Sequence, residues 1–136
     1  MIDLSESVRI TAGIVLLTVV GIESGGWFML QVVTGKQRAT DFQKSFFRAG
    51  HAHAGVLVTL GLVSLLLSDA THLGGFWHWL AGTGVLVGAI LLPGGFFFSA
   101  IGDGRTSPNR WAVLFPLGIV AIAAGVVTLA VGLLTV

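Results

Sequence analysis

Four stretches of this chain, from about Val8 to Val33, Gly50 to Ser68, Phe76 to Ala100 and Trp111 to Thr135, are each so apolar that they fix what must surround them. A helix of ~20 apolar residues crosses a hydrocarbon layer ~30 Å thick, and backbone lying in lipid must satisfy its hydrogen bonds within its own segment. The expected fold is therefore all-α, an integral membrane four-helix bundle. One domain over residues 1–136 is expected, because the four spans and their loops use the whole sequence. Charged residues make up 10% of the chain against 54% hydrophobic, too few to clothe a soluble domain.

The charges that remain sort by loop. Thr34 to Ala49 carries Lys36, Arg38, Lys44 and Arg48 against Asp41; Asp69 to Gly75 carries no Lys or Arg; the third connection carries Arg105 and Arg110. Short loops rich in Lys and Arg stay cytoplasmic, so loops one and three are expected inside and both termini outside, with Arg9 as a minor opposing charge. The start of the chain, Met1 to Glu6, is acidic where a signal peptide is basic, so the first span reads as uncleaved. A net charge of +1 argues against nucleic acid as a partner, and the absence of Cys removes thiolate chemistry, disulfides and clusters.

Few residues remain that carry chemistry. Glu23 lies within the first span, where an ionisable group costs ~2.5 kcal/mol or more unless it is paired or faces a cavity, so it is expected to point inward. Phe46-Phe47-Arg48-Ala49-Gly50-His51-Ala52-His53-Ala54-Gly55 opens the second span. Two histidines two residues apart diverge by about 200° on a helix, so at most one faces a given pocket. Small neighbours let a flat cofactor approach closely, and haem iron takes a histidine axial ligand; a histidine at a helix end is more often an interfacial polar group. His72 and His78, beside Trp77 and Trp79, read as part of an interfacial aromatic belt.

Glycine occurs 20 times, including Gly21-x-x-x-Gly25 and Gly84-x-x-x-Gly88, spacings that let helices approach closely within the chain or between copies. Pro93-Gly94-Gly95 is expected to kink or unwind the third span, with Phe96-Phe97-Phe98 after it as a wall for a planar ligand or a lipid-facing run. Ser107-Pro108-Asn109-Arg110 makes a stiff turn into the fourth span, where Arg110 serves either as an interfacial anchor or as a partner for an anionic group.

Together, Arg48-Ala49-x-His51-x-His53-x-Gly55, Gly95-Phe96-Phe97 and Ser107-Pro108-Asn109-Arg110 on a four-span chain resemble the styrene-oxide isomerase family. The resemblance implies a homotrimer binding haem b, whose ferric iron acts as a Lewis acid on an epoxide oxygen. It implies His53 as the iron ligand, with His51 a neighbour outside the coordination sphere. Arg48, Asn109 and Arg110 follow as further haem-binding positions. The family's pocket asparagine and tyrosine fall on Thr59 and Phe97; Thr59 keeps a hydroxyl, whereas Phe97 neither donates nor accepts a hydrogen bond.

The resulting expectation is an isomerase that opens a small apolar epoxide to a carbonyl compound in a bacterial inner membrane. The alternatives are a non-catalytic haem protein that stores, senses or passes electrons, and a cofactor-free subunit in which Glu23 and the histidines fix helix packing.

Overall fold

The computed structural model describes residues 4–136; the first three, part of the acidic start, lie outside the described residues. Four α-helices follow in chain order: α1 (Glu6–Val33), α2 (Asp41–Ser68), α3 (Gly75–Ala100) and α4 (Leu114–Leu134), the last entered through a 3-10 turn at Arg110–Val113. All four are long and apolar enough to cross a membrane, which makes the chain an all-α integral membrane protein.

One boundary differs from its expected place by more than a turn. α2 begins at Asp41 rather than Gly50, because Thr40 and Gln43 form a capping box: the Thr40 hydroxyl accepts from the Gln43 N–H at 3.2 Å, and the Thr40 N–H donates to Gln43 Oε1 at 3.1 Å. Lys44 and Arg48 therefore stand on a helix and not in a loop. His51 and His53 lie in its third and fourth turns and not at its start.

The helices pack in chain order, α1 on α2, α2 on α3, and α3 on α4. The α3–α4 seam is the tightest. A Cβ at Gly84 would come 2.7 Å from the Gly125 Cα, and one at Gly88 would collide with Ile122, so Gly84-x-x-x-Gly88 is used inside the chain. Pro93 does not unwind α3, which is helical through to Ala100. Pro93 and Gly95 are buried, and Gly95 packs against Phe115 of α4, so tertiary packing holds the helix through the break.

Loops one and three meet at one end. Gln43 Nε2 donates to the carbonyls of Ala100 at 2.9 Å and Gly102 at 2.7 Å, and the Thr40 hydroxyl donates to the Arg105 carbonyl. At the other end, Leu73 and Thr71 of loop two lie against Gly132 near the carboxyl terminus.

α1 is held differently, by its two ends. At loop two the Ser5 N–H and hydroxyl donate to Asp69 at 2.8 and 3.0 Å, and His78 Nε2 donates to the same carboxylate at 3.2 Å. Burial pushes the Asp69 carboxyl up, but the bonds from Ser5 and His78 and the charge of His78 outweigh it and hold the carboxyl below its usual value. At the opposite end Val32, Phe47 and Ala100 form a small core, with the Phe28 and Phe47 rings edge to face at 5.4 Å. Between these pins α1 buries no side chain; its buried residues are Val8 and Val32. Ile14, Leu17 and Val20 are all exposed, the pattern of a helix that faces lipid.

Candidate functional site

The two histidines of α2 occupy different surroundings, as a separation of about 200° requires. His53 is exposed on the α4 side, its ring 5.0 Å from that of Phe96, which itself packs on Phe46 and Phe115. Its Nδ1 lies 2.8 Å from the Ala49 carbonyl. A carbonyl can only accept, so this bond puts the proton on Nδ1 and leaves the Nε2 lone pair free. Such a bond from the far nitrogen is how metal-binding histidines are oriented and made more basic.

His51 is half-buried against α1. Cβ atoms built at Gly25 and Gly26 would meet its ring nitrogens at 3.2 and 3.6 Å, so these two glycines form the cradle that lets the imidazole lie between the helices. Below it the middles of α1 and α2 diverge into a groove of about 680 Å³ lined by Ile22, Glu23, Gly26, His51, Thr59 and Val63, among others. Glu23 does not point into the bundle interior as the sequence suggests. It is exposed on the groove and has no hydrogen-bond or ion-pair partner among the described residues.

The other sequence-derived positions are dispersed. Thr59 lies on the Glu23 groove, about 240° around α2 from His53, and its hydroxyl donates to the Gly55 carbonyl at 3.0 Å. Phe97 stacks on Phe47 at 5.8 Å and closes over Gly50. Within one protomer, then, neither Thr59 nor Phe97 shares the helix face of His53. Asn109 is occupied by the turn it makes: its side chain donates to the Phe98 carbonyl at 2.9 Å and accepts from the Trp111 N–H at 2.8 Å. Arg110 is exposed, its guanidinium 6.0 Å from the Trp111 ring. Arg48 is exposed on the outward face of α2 beside Lys44 and Ala52.

Among the described residues no group of three or more His, Asp and Glu side chains converges as a metal cage. A haem asks less of the protein, since the porphyrin supplies four nitrogens and the chain supplies an axial imidazole. His53 meets that requirement in its tautomer and its aromatic backing. Its exposure means that the rest of the chain would leave a porphyrin bound there largely uncovered. The chain matches no family model, no curated protein and no solved structure.

Sequence reading did not find the Gly25–Gly26 cradle or the Ser5–Asp69–His78 tie. The cradle needed the depth of His51 relative to α1, and the tie joins residues 64 positions apart. Neither leaves a local pattern.

Proposed function

We propose that this chain is a haem b-binding integral membrane protein of the cell membrane, assembled as a homotrimer, that isomerises a small apolar epoxide to a carbonyl compound. The observation that supports it most directly is the Nδ1 bond of His53 to Ala49, which prepares Nε2 as a ligand on an exposed, aromatic-backed helix face. His53 would hold a ferric haem, which would supply a Lewis acid for the epoxide oxygen. The chain's own part is to hold the imidazole in one tautomer through Ala49, to back it with Phe96 and to keep water from the reacting carbons with apolar walls. Arg48 and Arg110 are the exposed cations available to carboxylates of a bound porphyrin.

A non-catalytic haem protein is the second reading. It is favoured by the placement of Thr59 and Phe97 away from His53 in the protomer, which leaves the epoxide pocket to be completed between copies. Protein purified in mild detergent should be red with a Soret band and should convert styrene oxide to phenylacetaldehyde. A Soret band without turnover selects the second reading, and a colourless protein after haem supplementation removes both.

A further inference from the structure

The groove between α1 and α2 lies across the helix from His53 and is independent of any haem. Glu23 stands ten residues before the end of α1 and His51 ten residues after the start of α2, so both sit ~15 Å from the same end of the bundle, with His51 ~4.5 Å along the helix beyond Arg48. The contact of His51 with Gly25 and Gly26 places the two helices in that register.

What the groove offers is mostly acceptors. Glu23 presents carboxylate oxygens. His51, when neutral, presents one ring nitrogen lone pair and one N–H. Thr59 has spent its only proton on the Gly55 carbonyl and has only lone pairs left. The remaining wall is hydrocarbon: Ile22, Val56, Leu60 and Val63. Acceptors that outnumber the one imidazole N–H in an apolar groove suit a ligand rich in donors, and an alkylammonium head carries three N–H donors and no acceptor. A carboxyl and an amine also form a pair of zero net charge whichever holds the proton, so such a pair suits lipid depth better than a lone ion. The groove volume falls within the ~300–1,000 Å³ of small-molecule sites.

The geometry points to a binding site for a lipophilic primary amine in this groove, its head on Glu23 and His51 and its hydrocarbon body along Val56, Leu60 and Val63. The occupant is a small molecule dissolved in the bilayer, matched to the groove by the charge of its head against Glu23; a second copy of the chain, whose exposed Arg48 lies about one turn from the level of His51, is the alternative that the test separates.

The test titrates 4-phenylbutylamine and its isostere 4-phenylbutan-1-ol into the protein in zwitterionic nanodiscs by calorimetry, with protein-free nanodiscs subtracted. The amine is expected to bind about tenfold or more tightly than the alcohol, as a charge-assisted hydrogen bond predicts. Glu23→Gln should bring the two within about twofold, whereas Glu23→Asp, which keeps the carboxyl, should retain a preference. His51→Ala should weaken the amine by a smaller factor. Equal binding of amine and alcohol by the unaltered protein overturns the proposal, as does a groove filled by lipid or a second copy that gives no saturable binding. A preference that survives Glu23→Gln does the same. Haem content, read from the Soret band of each sample, keeps this result separate from the His53 reading.

Discussion

His53 and His51 carry the same side chain two positions apart, and their contacts assign them different work. His53 has a carbonyl on Nδ1 and a free Nε2, so His53→Ala should remove most of the haem or shift its spectrum. His51→Ala should leave the spectrum largely intact, since that ring lies between α1 and α2. Equal losses would show that the ligand is misassigned. Asp69 gives a prediction in pH. Its carboxyl is held below the usual value in the folded chain, so its contribution is full above pH ~5 and is lost as the pH falls through the lowered folded value. Thermal unfolding in detergent should therefore soften in acid, and Asp69→Asn should lower the neutral-pH midpoint by about 3 °C while flattening that dependence.

Among the elements, the existence and type of all four helices were legible from apolar run length alone, because lipid leaves the backbone one solution per span. The start of α2 was not, since the Lys44 and Arg48 charges read as loop while Thr40 and Gln43 had already begun a helix. Nor was the exposed placement of Glu23 on the groove, because span hydropathy says nothing about how closely a helix packs on its neighbours. The glycine patterns were visible, but only the structure separates Gly84, pressed on Gly125, from Gly13, with open space beside it. Gly84→Ala should cost about 1–3 kcal/mol in the unfolding free energy, and Gly13→Ala should cost almost nothing. Denaturation of both variants in the same detergent checks the contrast.

For the whole molecule, loops one and three share one end, while loop two and the described ends of the chain share the other, so one side-specific measurement orients everything. With the Lys- and Arg-rich loops inside, a reporter fused after Val136 should be active on the outer face; cytoplasmic activity there would reverse the orientation and keep the four spans. The proposed homotrimer should appear by native mass spectrometry, and a monodisperse monomer across several detergents would count against it. The candidate site was legible only as residue types at a depth. Which of them share a face depends on the stagger of α1 against α2, and that is set by Gly25 and Gly26, two residues without side chains.

Fully buried only at Val8 and Val32, α1 leaves beside α2 a slot along the helix sides, where a membrane-spanning helix meets acyl chains. A ligand for that slot arrives by lateral diffusion within the leaflet, at the concentration it reaches there. Its apparent affinity in aqueous units should track its oil–water partition coefficient along a homologous series, each added methylene counting for ~0.8 kcal/mol before it touches the protein. Extra lipid in the assay should dilute it as surely as extra buffer dilutes a soluble ligand.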